Sequence, residues 1–502
     1  MEPRSWKSRL DELSDRPRIA LVMWIFVVVA ISALHLCINA NDIGHPELWL
    51  DESSTWGVAH RPFVTVLTLP TQFHSQPPLY YLLLHFWMKI YDARWFMRGL
   101  GWLSCLCLLE LVLFWLHELS LSARVVFCIT FITASLTHYL STALRPYGMA
   151  ALTTFVSTVL LLRLLRDPTR RRAIHYTLIA LVMLYTMAFD VWVVVAHGLT
   201  VGSFLVFHSA REGIRVIVKR YRAVFVAIGA VAIGYLPYVW IAAHWHYTQN
   251  GRDNGEQVLT TGHYTYTLNE HFKDSGAAML LIYGLIAIAL WAELRKKNAL
   301  SLVWPLIAAG QVGFVVYFMT GRGMGPAGRY MTPMLPCVCF LVALGWQHLQ
   351  PRPPRVAWQV LLGFLCYLLW PEVIAYSAYL ASPRPLGTFG KLRQRLKMQA
   401  GKKLVFFDIG YSGQDFEYVI RHDADISSAV MRGEGGNAGG DNHLDPEYIR
   451  RTIATTTSDT RCYYYQLESP QGVYATVFAP EMSRLGYEEV APIGKVHGFC
   501  RD

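Results

Sequence analysis

Two adjacent carboxylates, Asp51 and Glu52, stand in the loop that follows the first hydrophobic stretch of the sequence. A carboxylate beside a bilayer can act as a general base toward a lipid-borne substrate, and it can equally be a solvated loop charge. The same loop continues with the segment 74–81, HSQPPLYY, which contributes His74 and Gln76. This loop is therefore the first candidate for chemistry, and the rest of the chain must decide between the two interpretations.

Two further candidate groups each combine an arginine with an aromatic neighbour at the end of a hydrophobic stretch. They are Arg145-Pro146-Tyr147 and Arg329-Tyr330. A guanidinium offers planar, bidentate hydrogen bonding to phosphate oxygens and keeps its charge when it is partly desolvated. Arginine at a membrane surface is also a common anchor whose charged head stays in water. The residues alone leave both roles open, phosphate contact and anchoring.

The composition indicates a membrane protein over most of the chain. Of its 502 residues 53% are hydrophobic and 16% are charged, whereas soluble domains have about 25% charged residues. The net charge of +10 could suggest a nucleic-acid partner, but the segment from residue 381 onward holds 15 basic and 15 acidic residues. The basic excess therefore belongs to the hydrophobic part, where it reports membrane topology and not a nucleic-acid surface.

Eleven hydrophobic stretches have roughly the 17–25 residues that a helix needs to cross the hydrocarbon core of a bilayer. No small-residue cleavage site follows the first stretch, so we expect an anchor and not a removed signal peptide. The predicted spans are 19–40, 95–117, 124–143, 147–165, 173–189, 191–208, 223–243, 276–294, 299–319, 330–349 and 356–380.

The distribution of lysine and arginine predicts the orientation of these spans. With a cytoplasmic N-terminus, the inner connections hold 20 basic residues and the outer loops hold nine, and positively charged loops remain inside. The loop containing Asp51, the loops 244–275 and 320–329, and everything after 380 are then outside. In a bacterial cell the chain would be a multi-pass protein of the inner membrane with its C-terminal part in the periplasm.

The outer segment 41–94 contains a second apolar stretch, 79–91, that is too short to cross the bilayer. Its tyrosines and tryptophan suit the headgroup region, so we predict an interfacial helix. Pro77 and Pro78 would begin it, since proline suits the first helical turn. We therefore divide the chain into a membrane domain, 1–380, whose outer catalytic loop is 41–94, and a soluble domain, 381–502.

The soluble domain is predicted to be a small α/β or α+β fold, large enough for its own core. The pattern predicts strands at 403–408, 463–467 and 473–478 and a short helix at 414–420, and the composition of 433–443 is that of a flexible loop. Seven of the nine cysteines lie in apolar spans. The other two, Cys462 and Cys500, are expected to form a disulfide in an oxidising compartment.

Asp190 is an acid inside the apolar run MAFDVWVVV. An ionisable residue within a membrane span is costly and is a functional candidate by default. If residues 189–191 form an outer turn between the fifth and sixth spans, Asp190 is instead an ordinary loop acid. The sequence leaves both interpretations open.

Taken in order, four motifs resemble a known family. The acidic pair, H-x-Q-P-P-L-Y-Y, A-L-R-P-Y and G-R-Y-M-T-P-M-L-P are similar to those of the bacterial membrane glycosyltransferases related to the protein O-mannosyltransferases of family 39, over roughly residues 19–350. The aminoarabinose transferases that modify lipid A resemble the chain more distantly. The resemblance implies the GT-C fold, a polytopic α-helical membrane protein. It also implies transfer of a sugar from a polyprenyl-phosphate donor to a glycan, lipid or protein acceptor, with inversion.

The resemblance also implies roles for individual residues. Asp51 matches the catalytic base, and Glu52 matches its acidic neighbour. The residues expected near the donor phosphate are Arg145, Arg329, Tyr147, Tyr330, His74 and Gln76. The chain departs from the pattern twice: Gln76 stands where the aminoarabinose transferases carry lysine, and no acid accompanies Arg145. Both departures argue against aminoarabinose, and the second also argues against a two-carboxylate metal site.

The implied reaction needs no organic cofactor, because the sugar is already activated. Whether a divalent cation, Mg²⁺ or Mn²⁺, binds near Asp51 and Glu52 is left open, since two adjacent carboxylates do not by themselves form a six-oxygen site. Three other classes also stay open. They are a transporter or flippase of a polyprenyl-linked glycan, a ligase-type transferase that uses basic residues, and a non-catalytic scaffold.

Overall fold

The structure, a computed structural model, describes most of the hydrophobic part and much of the C-terminal part. The described residues are 17–39, 43–44, 48, 50–74, 76–249, 276–295, 299–320, 328–349, 359, 363, 388–407, 416, 418–430, 446–456, 459–466, 474–493 and 496–501.

The helices are numbered in chain order. They are α1 (Pro17–Asn39), α2 (Leu50–Ala59), α3 (Phe63–His74), α4 (Leu79–Ile90), α5 (Arg94–Trp115), α6 (Leu121–Thr133), α7 (Ser135–Thr142), α8 (Tyr147–Arg166), α9 (Arg170–Thr186), α10 (Val191–Glu212), α11 (Ile214–Arg220), α12 (Arg222–Gln249), α13 (Gly276–Arg295), α14 (Val303–Thr320), α15 (Met334–Leu349), α16 (Thr388–Lys397), α17 (Pro446–Thr456) and α18 (Ala479–Arg484). The strands are β1 (Lys402–Phe407), β2 (Ile426–Val430), β3 (Thr460–Gln466), β4 (Glu488–Ile493) and β5 (Val496–Cys500).

Helices occupy the first ten predicted spans, and the eleventh, 356–380, lies outside the described residues. Within the described residues four helices are long and apolar enough to cross a membrane, and the bent pair α6–α7 would make a fifth. Three shorter helical stretches are also apolar: 24–39, 303–313 and 334–349. The prediction of a polytopic α-helical membrane protein with a small C-terminal domain that contains strands is confirmed. A helix also begins at Leu79 directly after Pro78, as predicted.

The span predicted at 124–143 is bent and not straight. Helices α6 and α7 meet at 73°, and Ala134 between them has an extended backbone. The hydroxyl of Thr137 donates a hydrogen bond to the carbonyl of Phe131 at this break. A threonine side chain can thus satisfy a carbonyl that the helix ladder releases, which favours a kink where no proline is present.

The chain forms two compact units. The first contains residues 1–44, 75–245 and 256–382, and the second contains 45–74, 246–255 and 383–502. The second unit therefore includes the helices α2 and α3, which follow the first predicted span, as well as the C-terminal residues. The domain boundary between residues 380 and 381 stays a prediction. The division into compact units places residues 45–74 with the C-terminal part.

The first unit is a helical bundle with a polar clamp at the end that is predicted to face the cytoplasm. Arg163 of α8 pairs with Glu118 at 3.1 Å and donates a hydrogen bond to the carbonyl of Trp115 at 2.8 Å. The backbone N–H of Ser120, which is the N-cap of α6, donates to Gln347 of α15 at 2.7 Å. These bonds join the ends of α5, α6, α8 and α15 where water can reach their charged groups.

The C-terminal part of the second unit is a five-stranded mixed sheet in the order β2-β1-β3-β5-β4. Strand β1 runs parallel to β2 and β3, and β5 runs antiparallel to β3 and β4. Side chains alternate between two apolar clusters, so that Phe406 and Tyr463 pack on one face with α17 and α18. On the other face Phe407 and Tyr464 pack with α16. This alternation is the period of a strand buried on both sides.

Two features of this sheet bear on the sequence predictions. The prediction of a strand at 473–478 is wrong, because Tyr474–Phe478 forms a wide helical turn that continues into α18. Its residues Val477 and Phe478 cover one face of the sheet. A strand that paired with the edge of the sheet would not place them there.

Cys462 and Cys500 face each other across β3 and β5 and are joined by a disulfide, with 4.1 Å between their Cα atoms. The loop predicted at 433–443 lies outside the described residues.

The close approach of α5 and α8 generates a prediction for Gly148. A Cβ atom there would lie 2.7 Å from the carbonyl oxygen of Gly101 and 3.0 Å from that of Leu140. Because both neighbours are backbone, we expect Gly148→Ala to destabilise the bundle by about 1–3 kcal/mol, which a lowered Tm in detergent would report. The control is Gly99→Ala on α5, where a Cβ meets nothing within 4 Å. Equal Tm values for the two variants would contradict this account of the packing.

An ion cluster in the C-terminal part generates a prediction about pH. The buried carboxylate of Asp423 accepts a hydrogen bond from Arg393 at 2.9 Å and also pairs with Lys397. The hydrogen bonds from Arg393, reinforced by Lys397, lower the pKa of Asp423 from its ordinary 3.8 to about 2. A carboxyl with a lowered pKa stabilises the folded state above pH 3.8 and loses that contribution as the pH falls toward 2.

Asp423→Asn should therefore lower the Tm of this part at pH 7, and the difference from wild type should shrink toward pH 2. Near-ultraviolet circular dichroism of its buried tyrosines would follow the unfolding. Asp459→Asn is the matched control, because the Asp459–Lys402 pair is exposed and such pairs contribute little. A Tm difference for Asp423→Asn that is equally large at pH 7 and pH 2 would refute the assignment.

Candidate functional site

Asp51 and Glu52 lie in the first turn of α2. The positive end of a helix dipole stabilises carboxylates placed there. The side chain of Asp51 is half-buried, and that of Glu52 is buried. Neighbouring residues of a helix point about 100° apart, so the two carboxylates do not form a chelating pair on one face of α2. Among the described residues there is no group of three or more His, Cys, Asp or Glu side chains arranged to hold a metal ion.

The helix that carries these acids packs on the C-terminal part of its own unit. Trp56 of α2 is buried and meets the ring of Tyr418 edge-on, with 5.3 Å between the ring centroids. The guanidinium of Arg421 lies over the ring of Tyr418, 3.8 Å from the ring centroid. Trp56 also stacks on His60, the residue directly after α2, at 5.0 Å. The orientation of α2 therefore depends on a contact more than 360 residues away in the sequence.

Arg145 is buried in the turn between α7 and α8, in the first unit. Its guanidinium lies 5.8 Å from the ring centroid of Tyr147, and Tyr147 in turn lies 5.6 Å from the ring of Tyr139. Pro146 begins α8 and fixes the backbone directly after the arginine. Helix α7 contacts the 3₁₀ turn Gly328–Met331, which carries Arg329 and Tyr330.

A second 3₁₀ turn, Ala188–Asp190, lies between α9 and α10 and joins three of the predicted residues. The side-chain carbonyl of Gln76 accepts a hydrogen bond from the N–H of Ala188 at 3.4 Å. The ring of Phe189 stacks on that of Tyr330 at 4.7 Å. Asp190 itself has no solvent-exposed surface. The structure thus gathers Gln76, Asp190 and Tyr330 around one turn of the first unit.

The remaining predicted residues are located only in part. Arg329 lies in the turn Gly328–Met331 and His74 ends α3, and their side chains lie outside the described residues. Asp51, Glu52 and His74 belong to the second compact unit, and the other predicted site residues of the membrane part belong to the first. The roles assigned to all of them stay predictions.

Four residues of these arrangements were missing from the predicted site residues. Gln311 of α14 donates a hydrogen bond to the carbonyl of Tyr330 at 2.9 Å, and its place as an amide in an apolar run was a detectable signal. Tyr139 gives no such signal, because it is one aromatic residue among many near span ends. The partnership of Trp56 with Tyr418 could not be found from local patterns either.

The fold is similar to that of ArnT from Cupriavidus metallidurans. The crystal structure of ArnT in the apo state has a TM-score of 0.57 and 12% sequence identity, and the match covers 96% of this chain and 98% of that chain. The structure of ArnT bound to undecaprenyl phosphate has a TM-score of 0.54 and 13% identity, with 95% and 97% covered. No protein-family model and no curated protein sequence matches the chain. The similarity confirms the expected GT-C fold over nearly the whole chain.

The packing of α2 generates a prediction for Tyr418. Removing its ring in Tyr418→Ala leaves Trp56 without its edge-on partner, and an aromatic pair contributes about 0.5–1.5 kcal/mol beyond burial. We expect hydrogen–deuterium exchange in α2 to accelerate roughly two- to tenfold. The control, Tyr418→Phe, keeps the ring and should leave the exchange of α2 near the wild-type rate. Unchanged exchange in Tyr418→Ala would show that other contacts hold α2.

Proposed function

We propose that this chain is a glycosyltransferase that moves a sugar from a polyprenyl-phosphate donor to a hydroxyl group of a glycan, lipid or protein acceptor. The observation that carries the proposal is the similarity to ArnT over nearly the full length of both chains, combined with an acid pair at the start of a helix in the first outer loop. ArnT has been crystallised with undecaprenyl phosphate, which supports a polyprenyl phosphate as the lipid partner of this chain.

The proposed reaction is a single displacement. Asp51 accepts the proton of the acceptor hydroxyl, and the hydroxyl oxygen forms a bond to C1 of the sugar. The bond from C1 to the phosphate oxygen breaks on the opposite face, so that the configuration at C1 inverts and the polyprenyl phosphate leaves with the bonding electrons. General-base catalysis of this kind contributes about 10²–10⁴-fold in rate. Glu52 orients Asp51 and takes no proton.

The basic groups of the first unit stabilise the leaving phosphate in this proposal. Arg145 is buried beside Tyr147, and a desolvated guanidinium interacts more strongly with an anion than a hydrated one. The resemblance assigns Arg329, Tyr147, Tyr330, His74 and Gln76 to the same phosphate. Each such group commonly contributes about 3–4 kcal/mol to stabilisation of the transition state.

The proposed setting is the periplasmic face of the bacterial inner membrane. The chain is a multi-pass protein with a cytoplasmic N-terminus and a periplasmic C-terminal domain. The distribution of basic residues between alternate loops supports this orientation. No organic cofactor takes part, because the phosphate ester already activates the sugar, and the metal requirement is decided by the assay below.

The test is sugar transfer in vitro by the purified wild-type chain and by Asp51→Asn. The donors are polyprenyl phosphates that carry different sugars, and the acceptor is a crude envelope extract, with and without EDTA. We expect transfer from at least one donor by the wild type and a loss of about 10²-fold or more in Asp51→Asn, with unchanged Tm. Asp459→Asn makes the same chemical change at an exposed carboxylate and should keep full activity.

The alternative functions predict other outcomes. Equal transfer by wild type and Asp51→Asn would remove Asp51 as the base and favour a ligase-type transferase that uses basic residues. Binding of the donors without transfer from any of them would favour a transporter or flippase. Loss of transfer in EDTA, restored by Mg²⁺ or Mn²⁺, would establish a metal requirement.

A further inference from the structure

Two fully buried ionisable residues, His197 on α10 and Asp190 directly before it, differ in how the protein satisfies their polar atoms. The ring nitrogens of His197 both have partners, Thr158 at 3.0 Å and Tyr176 at 3.2 Å. Asp190 immediately precedes α10 and is 0% exposed. Within the part of the chain that the structure describes, neither of its carboxylate oxygens has a hydrogen-bond partner. Its side chain does not even cap the helix that it precedes.

A buried carboxylate without partners is unfavourable by several kcal/mol. Groups of this kind persist in folded proteins mainly where function requires them. His197 on α10 has partners for both of its ring nitrogens. Among the buried side chains that the structure describes, Asp190 alone has two polar atoms without a partner, which points to a role in binding.

The surroundings of Asp190 contain other polar atoms of the same kind. Gln311 is fully buried, and while its amide nitrogen is bound to Tyr330, its carbonyl oxygen has no partner among the described residues. The buried hydroxyl of Tyr235 is likewise without a partner there, and Tyr235 lies within electrostatic reach of Asp190. The stacked rings of Phe189 and Tyr330 supply an apolar wall beside these groups. The polar atoms named here that lack a partner among the described residues are thus mainly oxygens that can accept a hydrogen bond.

The chemistry of these groups selects one part of the proposed donor. Phosphate oxygens accept hydrogen bonds, so a phosphate would leave the side-chain oxygens of Asp190 and Gln311 without donors. The polyprenyl chain is apolar and would leave the acceptors unsatisfied. The sugar presents several hydrogen-bond donors together with an apolar ring, which fits a few placed polar groups between aromatic walls.

We propose that Asp190, together with Gln311, forms a subsite that accepts hydrogen bonds from the sugar of the polyprenyl-phosphate donor. The proposal rests on the proposed function, because that function supplies the donor lipid. It assigns Asp190 to sugar recognition and leaves proton abstraction to Asp51. A site built to bind a sugar hydroxyl or ammonium group rejects ligands that lack it, since its buried acceptors are then left unpaired.

The experiment measures binding and does not require turnover. The full chain in lipid nanodiscs is titrated with bare undecaprenyl phosphate and with undecaprenyl phosphate carrying glucose, mannose, arabinose or glucosamine. The variants are Asp190→Asn and the control Glu110→Gln. Glu110 is a carboxylate of α5 whose Oε1 accepts a hydrogen bond from Ser32 at 2.7 Å, so it tests the removal of an intramembrane charge elsewhere.

We expect the wild type to bind at least one sugar-bearing lipid more tightly than the bare lipid. Asp190→Asn should reduce that advantage by about tenfold or more and should leave the affinity for the bare lipid within about twofold. Glu110→Gln should keep the advantage. The Tm of Asp190→Asn should stay close to that of wild type, because asparagine has nearly the same shape and the side chain of Asp190 has no hydrogen bond to lose among the described residues. Tighter binding of the glucosamine lipid alone would identify an ammonium as the group that the subsite recognises. Tighter binding of the lipids with neutral sugars as well would identify a hydroxyl.

Three results would overturn the subsite. They are equal affinity of the wild type for the bare and all sugar-bearing lipids, an unchanged sugar advantage in Asp190→Asn, and a lowered Tm with equal loss of affinity for every lipid. The last result would identify Asp190 as a structural residue. The proposed function is tested separately. If the wild-type chain binds sugar-bearing lipids preferentially through Asp190 but transfers no sugar, the subsite proposal stands and the transferase proposal fails.

Discussion

The absence of water inside a bilayer constrains this molecule more than any other factor. Backbone groups must be satisfied within helices, and charged side chains are tolerated only near helix ends or with partners. The polar groups that could do chemistry therefore collect in the turns. Arg145 lies between α7 and α8, Asp190 between α9 and α10, and Tyr330 in the turn that precedes α15. Glycine contacts such as that of Gly101 with Gly148 bring the helices close enough to hold these turns in place.

The same constraint explains why the acid pair is held by a short helix outside the helical bundle, whereas the candidate residues named above lie in turns of the bundle. Asp51 and Glu52 stand on α2, which is too short to cross a membrane and belongs to the unit that contains the mixed sheet. An aqueous domain can hold a helix through ordinary aromatic packing, as Trp56 and Tyr418 do. The C-terminal domain therefore has a role within its own unit: it supports the helix that carries the proposed base.

How far the sequence predicts the structure depends on the range of the interaction. Hydropathy predicted the spans, because a membrane span is a local property of about 20 residues. Sequence motifs predicted Gln76 and Tyr330 as candidates, and the apolar run around Asp190 made that residue a candidate too. Only the structure shows that the turn Ala188–Asp190 touches both Gln76 and Tyr330. The segment 473–478 was predicted wrongly, because its β-rich composition suits a sheet, whereas its place in the chain requires it to cover the sheet as helical turns.

The residues around the turn Ala188–Asp190 also show why the fold and the substrate specificity can depend on different side chains. At 12% identity the chain keeps the fold of ArnT, and a fold by itself does not determine the substrate. A general base and a phosphate site are needed for any polyprenyl-phosphate donor, so they cannot distinguish one sugar from another. Discrimination requires buried polar groups that only the correct ligand satisfies, and in this chain Asp190 and Gln311 have that character. The identity of the sugar is therefore expected to depend on a few side chains at helix ends, which can change while the bundle that holds them stays the same.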